Sequence, residues 1–197
     1  MQNIFMSNHN PEDYAEEGGV GEYPEAPKKC PFKDCGINLE MRKHGYYSRF
    51  LITLVFSGRI KIRRYRCRKC KRTVSMLPSF CLAGITYSVE FVTMLLLEAI
   101  ELGSIRKTAK HWCKRFGSIS RRLINKYLTR LRNNRRLIQY GINQLSPDNI
   151  RLGGIPGDAE WTKSFLGGIR PTLWAEFNAD FHKTTGKSFM SLQNSIA

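Results

Sequence analysis

The first 27 residues contain no lysine or arginine, and the stretch from Arg59 to Arg72 contains no aspartate or glutamate although it carries nine basic residues. No apolar run reaches the roughly 20 residues that a membrane-spanning helix requires. The longest, near Phe91 to Ile100, is broken by Glu98 and flanked by Glu90 and Glu101. The amino terminus also lacks a basic region followed by an apolar one, the pattern of a secretory signal. These absences predict a cytoplasmic, nucleoid-associated protein with no membrane partner.

The formal net charge of +16 over 197 residues exceeds what solubility needs and predicts attraction to a phosphate polymer. The charge is unevenly placed. Residues 1–27 hold six acids, residues 28–145 hold 27 bases and five acids, and the remainder holds five of each. The whole excess lies in the middle of the chain, so the binding surface is expected there.

Composition divides the chain into four parts. Residues 1–27, acidic and with Gly18-Gly19, Pro24 and Pro27, have few large apolar groups and read as a disordered arm. Residues 28–80 contain Tyr46 to Phe56, rich in aromatic and β-branched side chains, then Ser57-Gly58, then Arg59 to Arg63. That is a β-hairpin signature with the turn at Ser57-Gly58. The period of two places Arg59, Lys61 and Arg63 on a cationic face and Ile60 and Ile62 on a face that can be buried. A short third strand is expected at Thr73 to Met76, and Pro78 marks a linker.

Residues 86–145 read as three helices. Ser88 caps the first, through about Leu102, with Val89, Val92, Leu95, Leu96 and Ala99 at helical spacing. Ser104 caps a second through about Trp112, and Ser120 or Ser118 opens a third through about Asn133 after a turn at Phe116-Gly117-Ser118. Leu123, Ile124, Tyr127, Leu128 and Leu131 form an apolar face on the third helix, opposite Arg121, Arg122, Lys126 and Arg130. The pattern predicts a helix-turn-helix. Residues 146–197, from Ser146-Pro147 onward, are rich in glycine and aromatics, lack periodicity and read as an irregular tail. The expected fold class is α+β: a small hairpin module, a three-helix domain and that tail.

Of the six cysteines, Cys30 and Cys35 form one close pair and Cys67 and Cys70 another, on either side of the hairpin. In a reducing compartment such pairs point to metal rather than disulfide. Two short loops turned together can place four thiolates around one Zn2+, a closed structural site. Metal binding to small zinc peptides contributes about 10–16 kcal/mol, enough to fold a module with little core. His44 is a weaker candidate ligand, and Cys81 and Cys113 read as packing residues.

The cations around the second pair, Arg59, Lys61, Arg63, Arg64, Arg66, Arg68, Lys69, Lys71 and Arg72, are expected to contact phosphates. In the helices, Ser118, Ser120, Arg121, Arg122 and Asn125 lie where a recognition helix enters the major groove. Arg106, Lys107, Lys110, Lys126 and Arg130 would grip the backbone.

Four sequence stretches carry a resemblance to a known family. They are Cys30-Pro31 to Cys35-Gly36, then His44-Gly45-Tyr46-Tyr47, then Arg63 to Thr73, then Leu77-Pro78-Ser79-Phe80. They resemble the zinc-ribbon start of bacterial insertion-sequence transposases and related short mobile-element proteins. Ser104 to Ala109 looks like the start of the second helix of their helix-turn-helix. The likeness covers about residues 28–135 and implies recognition of duplex DNA at element ends, as a homodimer or beside a partner transposase subunit. Here the first cysteine loop is longer than usual, and Lys71 stands where a glycine often follows the last cysteine.

Full transposases of this kind are expected to hold two Mg2+ ions with three carboxylates of a ribonuclease-H-like domain. Asp148, Asp158, Glu160, Glu176 and Asp180 lie within 33 residues, in a segment too short for such a domain. The expectation is therefore a binding protein without catalytic residues. A truncated or split transposase and an RNA-binding zinc-ribbon protein are the alternatives. Gly186-Lys187-Ser188 lacks the earlier glycine of a phosphate loop, Phe181 standing in its place.

Overall fold

The computed structural model describes residues 1–17, 23–145, 152, 154, 155 and 157–192. Gly18, Gly19, Ser146, Pro147, Asp148, Gly153 and Pro156 lie outside them. The described residues form an α+β fold with one four-stranded mixed sheet and seven α-helices.

The hairpin comprises β2 (Arg42–Ile52) and β3 (Ser57–Arg66), antiparallel, with β4 (Thr73–Pro78) antiparallel to β3. Its turn lies at Thr53 to Phe56, earlier than Ser57-Gly58. The Thr53 hydroxyl accepts from the amides of Val55 and Phe56 at 3.2 and 2.8 Å, and the Thr53 amide donates to the Phe56 carbonyl at 2.8 Å. A threonine side chain that closes its own turn competes well with a Ser-Gly pair. Gly58 instead pairs with Leu51 inside the ladder, where a Cβ would overlap the Phe56 ring.

Residues 1–17 correct the expectation of a disordered arm. Strand β1 (Gln2–Phe5) runs parallel to β4, pairing Gln2 with Ser75 and Phe5 with Pro78, and completes the sheet in the order β1-β4-β3-β2. Helix α1 (Pro11–Glu16) is capped by Asn10, whose Oδ1 accepts from the amides of Glu12 and Asp13 at 2.9 and 3.0 Å. Its Tyr14 is fully buried, packs edge-on against Phe80 with ring centroids 5.6 Å apart, and donates to the Lys61 carbonyl at 3.2 Å. Few apolar groups suffice because each meets a surface that distant parts of the chain have already built. Composition within the segment contains no trace of that surface.

The three expected helices are present. Helices α2 (Val89–Glu101), α3 (Ile105–Phe116) and α4 (Arg121–Asn133) start at Ser88, Ser104 and Ser120, whose hydroxyls accept from the amides of Phe91, Lys107 and Leu123. Each cap contributes about 1 kcal/mol. Gly103 and Gly117 end the first two with φ of 57° and 76°, a region that favours glycine. The second helix runs one turn further than expected because Phe116 stacks on Trp112, at 5.2 Å, and meets Phe91 edge-on, at 4.8 Å. Glu98 ties α2 to α3, its two oxygens meeting His111 Nδ1 at 2.7 Å and Trp112 Nε1 at 2.8 Å.

The described residues beyond 145 do not form an irregular tail. Helix α5 (Arg135–Leu145) follows α4, and α6 (Asp158–Gly167), a 3-10 turn (Pro171–Leu173) and α7 (Trp174–Thr185) come after it. Trp161, Phe165, Trp174, Phe177, Phe181 and Phe189 interlock with ring centroids 5.5 to 6.0 Å apart. They share one continuous core with α2, α3, α4 and α5. Aromatic residues at intervals of three and four supply the helical faces, while the surrounding glycines and prolines mask the period.

The segment after Pro78 is no free linker. Ser79, Phe80, Cys81 and Leu82 are buried, and buried Asn178 of α7 donates to the carbonyls of Ser79 and Cys81 at 2.7 and 2.9 Å. Arg49 of β2 donates to the carbonyls of Leu82 and Ile85. Sheet and helices are thus bolted together by backbone acceptors that a loop would otherwise leave unsatisfied.

Candidate metal centre and basic surface

Two tight turns shape the cysteine loops. In the first, the amides of Cys35 and Gly36 both donate to the Phe32 carbonyl, at 2.9 and 2.8 Å, and Gly36 takes a φ of 49°. In the second, Cys67 and Arg72 close the loop through a 2.9 Å amide-carbonyl bond, and Lys71 donates to Cys67 at 3.2 Å. Lys71 has a φ of 60°, the one non-glycine residue with positive φ among the described residues. The left-handed turn that suits a glycine is therefore made by a lysine, at a backbone cost of about 1–2 kcal/mol.

The loops bring the sulfurs of Cys30, Cys35, Cys67 and Cys70 within 4.8 Å of one another, close enough to hold a metal ion. Cys30 and Cys70 are 3.8 Å apart, as are Cys35 and Cys67. Four thiolates arranged tetrahedrally about one ion at sulfur bonds of about 2.3 Å would lie about 3.8 Å apart. The donor set therefore fits a single four-coordinate ion. Among the described residues this is the one group of three or more histidines, cysteines and carboxylates so placed.

Electrostatics around the loops are uneven. The Arg72 guanidinium beside Cys70 pulls its thiol down to about 6, so that sulfur is a thiolate at neutral pH. Burial pushes Cys30 up to about 12, so metal binding there must displace a proton. Arg72 also bonds Asp34 at 2.5 Å, which lowers the carboxyl below its usual range, and lies 4.0 Å over the Phe32 ring. One side chain thereby clamps the first loop to the second.

His44 is half-buried within β2 and is not among the four clustered residues. Cys81 is fully buried, as expected of a packing residue. Cys113 is exposed on α3, which corrects its assignment to packing.

The basic side chains fall into two sets. Around β3 and the second loop, Arg59, Lys61, Arg66, Arg68, Lys69, Lys71 and Arg72 are exposed, and Arg64 is half-buried. Arg63 departs from the expected cationic face. It is only 8% exposed, because the register of β2 against β3 shifts between Lys43 and Tyr46 and brings Tyr46 opposite it. Its guanidinium lies 4.6 Å from the Tyr46 ring, 5.5 Å from Tyr65 and 5.7 Å from Tyr23. Gly45, with φ of 77°, makes that bulge. The signal for this aromatic cluster was the run His44-Gly45-Tyr46-Tyr47, whose glycine interrupts an otherwise continuous strand pattern.

In the helices, Arg106, Lys107 and Lys110 are exposed along α3, and Arg121, Arg122, Asn125 and Lys126 along α4. Ser118 is exposed in the turn, and the Ser120 hydroxyl is engaged as a cap. Arg130 is half-buried, with its Nε enclosed. Ile119, Ile124, Tyr127, Leu128 and Leu131 are buried on the opposite side, and Leu123 is half-buried.

Of the carboxylates, Asp158 is bonded by Arg135 at 3.1 Å. Gly186 ends α7 in the left-handed region, so Gly186-Lys187-Ser188 follows a helix rather than leading into one. No family model, curated protein or solved structure matches this chain.

Proposed function

We propose that this protein recognises duplex DNA through a helix-turn-helix formed by α3 and α4, beside a zinc ribbon whose four cysteines hold one structural Zn2+, in the manner of transposase-related proteins. The observation that carries the reading is the start of α4. Arg121, Arg122 and Asn125 are all exposed there, while the other side of the same helix is buried in the core. The three-residue turn from Gly117 to Ile119 presents that helix end on a rigid support. Arg106, Lys107 and Lys110 on α3 flank it as phosphate contacts. Zinc is favoured at the cysteines because it takes four thiolates tetrahedrally without an open position.

The test is metal content measured together with duplex binding over a salt series, for the wild type, Cys67→Ser and Arg121→Ala/Arg122→Ala. The expected result is one zinc per chain, absent from Cys67→Ser. Duplex binding should weaken with salt, and the double arginine variant should flatten the slope of log K against log salt by about 0.9 for each phosphate that it no longer neutralises. Zinc-free protein, or equal binding by the arginine variant at every salt, overturns the reading. Binding to RNA alone would assign the surface to RNA.

A further inference from the structure

The bulge in β2 builds a feature that duplex recognition does not use. Tyr23, Tyr46, Arg63 and Tyr65 line a cleft of about 870 Å³ whose rim carries Arg42, Lys43 and Arg68. Tyr46 keeps 42% of its surface exposed although it lies over the Arg63 guanidinium. Aromatic cages ordinarily recognise cations. This one is already filled by the chain's own Arg63, which makes no ion pair among the described residues. A cationic ligand is therefore excluded, and the cleft offers a ring to stack on, a positive charge beneath that ring and three cations at the edge. Glu25 and Glu40, which also line the cleft, are acceptors for an exocyclic amine.

We propose that this cleft binds one unpaired DNA nucleotide, its base stacked on Tyr46 and its phosphates held by Arg42, Lys43 and Arg68. The proposal deepens the nucleic-acid reading: the protein would bind a duplex where it adjoins single strand. Stacking on an aromatic side chain tolerates any base and rests on ring contact more than on the hydroxyl. The bulge is what aims the ring. Gly45 has open space around it, but its positive φ would be strained in any other residue. Tyr23 is half-buried, and burial pushes its pKa up to about 12, so it stays protonated beside the site.

The test compares full-length, metal-loaded protein on a blunt 24-base-pair duplex and on the same duplex with a six-thymine overhang. A separate DNA oligomer carries 2-aminopurine, whose fluorescence is quenched when it stacks. The wild type should prefer the overhang by about tenfold, within the range seen for a single stacked base. Tyr46→Phe should keep both preference and quenching, and Tyr46→Ala should lose both while retaining its metal and far-ultraviolet spectrum. Equal affinity for the two duplexes, or a preference that survives Tyr46→Ala, overturns the proposal. Tyr46-dependent quenching without blunt-duplex binding would uphold the cleft while removing the helix-turn-helix reading. Tyr46-dependent binding of an RNA oligomer with none of DNA would overturn the assignment to DNA.

Discussion

Lys71→Gly is the sharpest test of how the second cysteine loop is built. Lys71 holds a φ of 60°, and the two bonds that define its place are made by its backbone: its amide donates to Cys67, and its carbonyl accepts from Arg66 Nε at 2.9 Å. Both survive removal of the exposed side chain. A lysine in the left-handed region costs about 1–2 kcal/mol, while a glycine loses about 0.4–1 kcal/mol through its freer unfolded state. The net gain is about 0.5–1 kcal/mol. Thermal unfolding of the metal-loaded protein should rise by about 1–4 °C. Metal retention against a competing chelator should improve about 2- to 5-fold, because the loop no longer resists the geometry that the ion requires. Lys71→Ala is the control, since alanine keeps the backbone cost and should show no gain. If the glycine and alanine variants behave alike, backbone strain at this position is not what limits the loop.

Two further substitutions probe parts of the fold that composition concealed. Gly141→Ala should destabilise by about 1–3 kcal/mol in urea denaturation, because the new methyl overlaps the ring of Phe181, which is fully buried and cannot swing aside. A change below about 0.5 kcal/mol would mean that α5 and α7 do not meet this closely. Tyr14→Ala should cost about 3–5 kcal/mol and speed proteolysis within residues 1–17, whereas a segment that contributes nothing would leave both unchanged.

What could be read from the sequence was whatever is enforced locally. Ser88, Ser104 and Ser120 announce their helices because a hydroxyl and the amide it caps are three residues apart. The cysteine pairs announce a shared site because each pair sits in one short loop. The apolar residues of α4 and the alternation of Ile60 and Ile62 are likewise set by the period of their own element. The features that escaped share the opposite character. Ile4 and Tyr14 are buried by partners more than 40 residues away, as the bonds from Tyr14 to Lys61 and from Ile4 to His182 show. Arg63 left the cationic face because of a bulge on the neighbouring strand. The aromatic rings from Trp161 to Phe189 read as a tail because their partners lie in α2 and α5. For the same reason residues 86–135 are not a removable cassette: excising them would strip α6 and α7 of the surface they pack on.

The parallel pairing of β1 with β4 and its contact with α7 have a temporal meaning. The Ile4 amide meets His182 Nδ1 at 3.5 Å, across 178 residues of chain. At about 5–20 residues per second of synthesis, roughly 5–20 s separate the emergence of Arg72, which completes the cysteine loops, from that of Trp174, which opens α7. Throughout that interval the loops have all four sulfurs and can take up metal, while the β1 edge of the sheet still awaits α7. Metal capture can thus precede consolidation of the fold, and the cysteine loops would serve as a seed onto which the aromatic core later closes.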